Sequence, residues 1–214
     1  MPEWYRLSGS QAIETLKTDP SSGLTSSEVV ARRERFGWNE LKERPGQTIW
    51  QKLASQFKEF LVLLLVIAAV ISLLLGEASD ALVIFLVVVI NAVLGVFQEF
   101  KAEKSLAALK TLSAPTAKVF REGEATSVAA RQLVPGDLIL LEAGDLVPAD
   151  ARLLEADNLQ INESALTGES VPVEKAPEFT AMGVTPLAER RNMLFMSTIA
   201  TFGRGRALVT ATGM

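Results

Sequence analysis

The chain has 214 residues, of which 49% are hydrophobic, and its 21 basic and 25 acidic residues nearly balance. This balance provides no general electrostatic attraction for nucleic acid, and the lack of Cys and His excludes disulfides, thiolate nucleophiles, imidazole bases and ordinary zinc sites. Proton transfer would therefore have to use carboxylates, and the high apolar content indicates that part of the chain lies in lipid.

The first 45 residues have the character of a small soluble segment with helices. One helix is predicted to begin at the capping box Thr25-Ser26-Ser27-Glu28 and to end at Gly37, with an apolar face formed by Val29, Val30 and Phe36. A second helix is predicted around residues 11–17. Residues 1–10 are polar and lack the apolar core of a secretory signal, so we expect a cytosolic N-terminus.

Two uncharged apolar runs, at 60–75 and 81–98, follow an amphipathic segment at 49–59. A helix needs about 20 residues to cross a bilayer, so we expect the first span to include the preceding turn. The predicted membrane helices are then about 57–75 and 81–98, joined as a hairpin. A buried hairpin in a soluble core is the alternative, but two such runs would need a far larger protein around them.

Basic residues flank this hairpin and are missing from its turn, which predicts that both termini are cytoplasmic. The flanking residues are Lys42, Arg44, Lys52, Lys58, Lys101, Lys104 and Lys110. The second helix is expected to continue to residue 112 as a stalk, because strong helix formers fill residues 100–112. Asn91 lies within a span, and a hydrogen bond to a neighbouring helix and a site role are both open for it.

Short β-branched or apolar runs separated by turn residues begin after Pro115 and predict a compact all-β domain. We expect three parts in the chain: a helical segment at 1–45, an entry helix with hairpin and stalk at 46–112, and a β-rich domain at 113–214. Residues 174–192 are interpreted as a surface loop. The predicted strands are 118–121, 138–142, 151–154, 159–161 and 207–212.

Three motifs follow one another in the β-rich part, at 135–137 (PGD), 144–150 (GDLVPAD) and 162–170 (NESALTGES). At these spacings, and after a hairpin, they resemble the actuator domain of P-type ATPases, whose hallmark is Thr-Gly-Glu-Ser. The N-terminal segment and residues 192–198 (NMLFMST) are similar to the type II pumps that move calcium. The resemblance implies an α+β membrane protein with a transmembrane helical hairpin and stalk, a jelly-roll-like actuator domain and a small N-terminal helical segment.

The hallmark residues Thr167, Gly168, Glu169 and Ser170 are the candidate catalytic site. Gly168 has no side chain to obstruct a phosphate, and Glu169 can orient a water and accept its proton. The resemblance implies that this loop meets a phosphorylated Asp of another domain and that Glu169 positions the hydrolytic water. For the four residues alone, an ordinary loop tip with a solvated Glu is the alternative.

Three further carboxylates near these motifs, Asp137, Asp145 and Asp150, are interpreted as structural, because carboxylates in turns usually bond nearby backbone N–H groups. Glu163 is also interpreted as structural, so Glu163→Gln is expected at most to weaken folding or expression without trapping a phosphorylated state. Many relatives have Asp where Asn162 stands, which is a departure from the pattern outside the four hallmark residues.

Neither a P-loop nor the phosphorylation motif Asp-Lys-Thr-Gly-Thr occurs in these 214 residues. We therefore expect that the chain alone neither hydrolyses ATP nor transports ions and carries no cofactor, although the complete pump would use ATP and Mg²⁺. The implied partners are the lipid bilayer, the phosphorylation and nucleotide-binding domains, and the transported cation, with calcium favoured.

Two alternatives to a pump segment remain at this point. One is a free-standing membrane-anchored module that docks onto a partner with the missing catalytic domains. The other is an independent hydrolase that uses Glu169, which is disfavoured because no second catalytic group or basic cluster accompanies that carboxylate.

Overall fold

The computed structural model describes residues 3–40, 48–112, 115–181 and 183–213. The chain divides into two compact units. We call Met1–Lys42 together with Ala114–Met214 the sheet unit, and Glu43–Ser113 the helical unit. The mixture of helices and antiparallel sheet confirms the predicted α+β composition.

The N-terminal part of the sheet unit contains helices α1 (Gly9–Leu16) and α2 (Ser26–Phe36). Each begins at a reciprocal capping box, Ser8 with Gln11 and Thr25 with Glu28, and α2 ends at Gly37, as predicted. The predicted apolar face of α2 is wrong in part. Val29 alone packs inward, in a cluster with Leu24 and Val134, whereas Val30 and Phe36 are exposed.

The helical unit consists of α3 (Ile49–Gln56), α4 (Phe60–Leu74) and α5 (Ala78–Leu112). The expectation that the first apolar run continues its preceding turn is wrong, since α3 and α4 are bent by 69° and Glu59 between them is extended. The 15 residues of α4 span only about 22 Å. The second run and its predicted stalk form one continuous helix, α5.

Within the described residues, α5 is the one helix that is long and apolar enough to cross a membrane, over Ala78–Leu106. The bent pair α3 and α4 passes the same test only if it is taken as a single broken span. Only 17% of the most apolar window of α5 is buried. The ammonium of Lys52 joins α3 to α5, because it pairs with Glu103 and lies 4.5 Å from the Phe100 ring centre.

Among the described residues, seven antiparallel strands form one sheet in the order β2-β1-β3-β7-β4-β5, with β6 paired to β4. A single helical turn, α6 (Ser164–Thr167), follows β4. The strands are β1 (Thr116–Arg121), β2 (Glu124–Ala129), β3 (Leu138–Glu142), β4 (Asp150–Asn162), β5 (Val173–Glu174), β6 (Met193–Leu194) and β7 (Ile199–Ala211).

Strand β3 has the predicted bounds, whereas the predicted strands 151–154 and 159–161 are parts of one strand, β4. The interruption at residues 155–158 contains register shifts against β7 and a left-handed Asn158 at φ 51°. Gly203 of β7 faces it, where a Cβ would lie 2.4 Å from the Asn158 carbonyl oxygen. This irregularity explains why the sequence pattern of β4 is broken in the middle.

The core of the sheet unit is apolar, and polar side chains fasten the N-terminal segment to it. Ala12 of α1 packs against Leu138 and Leu208. The buried amide of Asn39 donates to the carbonyls of Ala130 and Pro148. The main core cluster includes Val119, Leu133, Ile139, Leu141, Val147, Leu153, Leu159, Ile161, Leu194 and Val209.

Candidate functional site

The hallmark motif forms a short, internally bonded turn at the end of β4. The Glu163 carbonyl accepts hydrogen bonds from the Leu166 and Thr167 backbone N–H groups at 2.9 and 3.0 Å. The Thr167 hydroxyl donates to the same carbonyl at 3.2 Å and accepts from the Glu169 N–H at 3.2 Å. Thr167 therefore holds the backbone of Glu169 relative to the start of the turn.

Gly168 ends α6 in the left-handed conformation, at φ 78°. This region strongly favours glycine, which explains the residue type independently of any ligand. A Cβ at Gly168 would find no atom within 4 Å, so the surface beside the turn is open. Both properties leave the tip of the turn accessible.

The side chains of Glu169 and Ser170 are exposed. Within the part of the chain that the structure describes, the Glu169 carboxylate has neither a salt bridge nor a hydrogen bond. A carboxylate held out on a bonded turn in this way is available to a water or a substrate that another surface brings to it. The structure thus places the four predicted site residues together on one tip.

The three aspartates of the upstream motifs have structural hydrogen bonds, as predicted. The buried Asp137 receives two bonds from Arg121, at 2.7 and 2.8 Å, and one from the Val134 N–H. Asp145 accepts from the Glu142 N–H at 2.9 Å, and Asp150 accepts from the Met196 N–H at 2.8 Å. These carboxylates organise turns and strand ends.

The departure at Asn162 leaves the local hydrogen bonding intact. Its amide oxygen accepts from the Ser164 N–H at 2.9 Å, a bond that an Asp carboxylate would also form. Asn162 therefore fixes the entry into α6, two residues before the turn that carries Glu169.

Sequence reasoning missed two buried basic residues of the sheet unit, of which Lys175 contacts the base of the hallmark turn. Arg152 donates to the carbonyls of Leu7, Asn192 and Pro177, and burial lowers the pKa of its guanidinium to about 10. Lys175 is buried against Glu163, although residues 174–192 are predicted to be a surface loop. A positive charge inside an otherwise alternating strand pattern could have indicated that Arg152 is buried. The sequence around Lys175 contains no comparable indication.

No cluster of three or more acidic side chains that could hold a metal ion occurs among residues 3–40, 48–112, 115–181 and 183–213. The site consists of one exposed carboxylate on a rigid turn. Such a site can act on a group presented by a different domain, but it does not itself surround a substrate.

Comparison with known proteins gives two family matches. Residues 111–214 match the P-type ATPase actuator domain, and residues 4–72 match the cation transporter/ATPase N-terminus. Calcium-transporting ATPase 1 of Bacillus cereus is 44% identical over 100% of the chain. A calcium-transporting ATPase of Listeria monocytogenes is 46% identical over 98%, and one of Bacillus subtilis is 42% identical over 99%. The chain covers 24% of the length of each of these relatives.

Proposed function

The chain belongs to the P-type cation-transporting ATPases, and from this premise we propose that it is the N-terminal and actuator portion of an ATP-driven calcium pump. In this proposal Glu169 promotes hydrolysis of an aspartyl phosphate on a separate domain. The observation that carries the proposal is the exposed, unpaired Glu169 carboxylate at the tip of a turn that its own hydrogen bonds hold.

The four hallmark residues have different parts in this reaction. Glu169 orients the attacking water and accepts its proton, while Gly168 lets the backbone approach the phosphoryl group. Thr167 holds the Glu169 backbone through its hydroxyl, and Ser170 shapes the exit from the turn. No step of the reaction uses a cofactor bound to this chain. ATP and Mg²⁺ act at the phosphorylation and nucleotide-binding domains of the complete pump.

We further propose that the helical unit spans the bilayer as a hairpin with both termini in the cytoplasm. The exposure of its apolar side chains supports this, since Phe60 and Leu74 of α4 are 80% and 81% exposed. The basic residues on both sides of the hairpin, and their absence from the turn at 76–80, support the orientation. The 69° bend gives α3, with its exposed Trp50, the geometry of a helix along the membrane surface.

Calcium is the proposed cation because three relatives along the whole chain are named calcium-transporting ATPases. The proposed partners are the lipid bilayer and the catalytic domains of the same pump.

Calcium uptake by the complete pump, meaning the full-length protein that contains this chain, tests the proposal. Inverted vesicles should take up calcium when ATP is added, and Glu169→Gln should stall turnover and lower that uptake strongly. The coding sequence after residue 214 should continue into membrane helices and a phosphorylation motif. A stop codon there, or uptake unaffected by Glu169→Gln, would contradict the proposal.

A further inference from the structure

A buried ion pair closes the base of the hallmark loop. The ammonium of Lys175 lies 2.5 Å from Glu163 Oε1, and the two side chains are 0% and 1% exposed. Glu163 stands immediately before α6, and Lys175 immediately after β5. The pair therefore brackets residues 164–174, the segment that contains all four hallmark residues.

The interactions of this pair do not offset the cost of burying its charges. Both carboxylate oxygens of Glu163 and the Lys175 nitrogen are buried, and among the described residues none of the three has a hydrogen bond of normal geometry, although the two charges are in contact. Burial raises the pKa of the Glu163 carboxyl and lowers the pKa of the Lys175 ammonium. Replacing a buried ion pair by apolar side chains of similar volume is often neutral or stabilising in proteins. Stability alone is thus a poor explanation for the pair.

The pair is connected to Glu169 through a short series of hydrogen bonds. Glu163, whose side chain is the buried carboxylate, also supplies the backbone carbonyl that accepts a hydrogen bond from the Thr167 hydroxyl. That hydroxyl in turn accepts from the Glu169 N–H. A displacement of the Glu163 backbone would therefore move the carbonyl on which the orientation of Glu169 depends.

The other end of the pair is tied to the sheet. The Lys175 N–H donates to the Leu159 carbonyl of β4 at 2.9 Å, next to the β4–β5 register Gln160↔Glu174. The Lys175 ammonium also lies 5.6 Å from the Phe195 ring centre. The positive charge thus has a fixed place, and it constrains where Glu163 can lie.

We propose that Glu163 and Lys175 form a positioning pair that sets the direction in which the turn presents Glu169 to the acyl phosphate. This proposal rests on the function proposed for Glu169. It revises the interpretation of Glu163 from sequence, which is that its loss affects folding or expression without slowing dephosphorylation. Neither residue of the pair touches the reacting atoms in this account.

The test uses the complete pump and follows decay of the phosphoenzyme after new phosphorylation is blocked. The variants are Glu163→Met, Lys175→Met and the double variant. Each single variant leaves a buried charge without a partner, so its thermal stability should fall, and the double variant should recover it. Decay by water should slow roughly 10-fold in all three, because a small misplacement of a reacting group is enough for such a loss.

A second reaction separates positioning from a general loss of structure. Return of the phosphoryl group to ADP reverses phosphorylation and uses other domains, so its rate should stay unchanged in the double variant. Lys118→Met, which removes an exposed ion pair with Glu142 at 2.6 Å, is the matched control and should leave both rates unchanged. If the double variant does not fold, the conservative Glu163→Gln is measured in its place, with the same expected slowing.

Glu169→Gln, measured beside them, distinguishes the two proposals. Decay by water at the normal rate in a folded double variant or in Glu163→Gln, with slow decay in Glu169→Gln, would overturn the positioning pair alone. Normal decay in Glu169→Gln would overturn the proposed function. Slowing of the water and ADP reactions together in the pair variants would also contradict positioning.

Discussion

The sheet unit and the helical unit contain the same apolar residue types in opposite surroundings. In the sheet unit, Leu153 and Ile161 are completely buried, whereas Leu74 and Leu86 of the helical unit are 81% and 58% exposed. Hydrophobic side chains exposed over two long helices need a nonaqueous surrounding or a large partner. The comparison shows that the apolar side chains of the sheet unit form a core, whereas those of the helical unit face outward, which is the pattern that the proposed membrane hairpin requires.

Polar groups follow the same division. The sheet unit uses buried polar side chains as fasteners, such as Asn39, Asp137 and Arg152, each with several hydrogen bonds. In the helical unit, the buried Lys52 lies at the junction of α3 with the stalk part of α5, outside the apolar runs. Experiments that measure the two units separately therefore test whether their surroundings differ.

The largest expected effect is on the side of a membrane from which the hairpin turn and the sheet unit can be labelled. Single cysteines placed at Ser79 and at Ser127 are both unique in this Cys-free chain, and both positions are exposed. A membrane-impermeant thiol reagent should label them from opposite sides of sealed vesicles. Labelling of both from the same side would contradict the hairpin.

The second prediction is that the sheet unit folds without the helical unit. A protein that joins residues 1–45 to residues 113–214 through a short linker should give a β-rich circular dichroism spectrum and one cooperative unfolding transition. Its core and its polar fasteners lie within these residues. An aggregated or unfolded product would show that the division into units is wrong.

Helices α2 and α5 could be predicted well from sequence, because each has a local signal. The capping box at Thr25 and the Gly37 with positive φ stand at the two ends of α2, directly beside it in sequence. The apolar run of α5 is continuous. Strand β2 was missed because its first four residues, which include Thr126 and Ser127, are all exposed, so its sequence shows no apolar alternation. Strand β7 was predicted too short, since glycines at 203 and 205 interrupt its pattern.

The hallmark tip could be predicted from a contiguous motif, but its support could not. Lys175 contacts Glu163 across 11 intervening residues, and Arg152 contacts Leu7 across the whole helical insertion in the sequence. Pairings of this kind depend on the register of β4 with its neighbours, which no local pattern specifies. The bend between α3 and α4, where Glu59 is extended, also has no strong local signal in the sequence, since neither Gly nor Pro stands there.

The third prediction compares the same substitution in both units. Leu153→Ala should lower the free energy of unfolding by about 2–5 kcal/mol, because it leaves a cavity in the sheet core. Leu86→Ala should leave the unfolding of the sheet unit unchanged. Fluorescence of Trp4 and Trp38, measured in a Trp50→Phe background during denaturation of the chain in detergent, reports on the sheet unit for both variants. Equal losses of unfolding free energy in the two variants would contradict the difference between the buried Leu153 and the exposed Leu86.

The smallest expected effect concerns a helix start within the sheet unit. Thr25→Ala removes the hydroxyl that accepts from the Glu28 N–H and should cost about 1 kcal/mol of unfolding free energy. Glu34→Ala, an exposed substitution inside the same helix, is the control and should change stability by less. Urea denaturation of the joined sheet unit measures both, and an unchanged midpoint in Thr25→Ala would show that the cap does not contribute.

Decay of the phosphorylated pump after a chase that blocks new phosphorylation tests the role of Glu169 most directly. Glu169→Gln keeps the size of the side chain and removes its ability to accept a proton, so the phosphoenzyme should form from ATP and accumulate. Its hydrolysis should be slower by a factor of about 10² to 10⁴. Glu174→Gln, an exposed carboxylate on the neighbouring β5, is the matched control and should decay normally. Hydrolysis at the wild-type rate in Glu169→Gln would contradict the account.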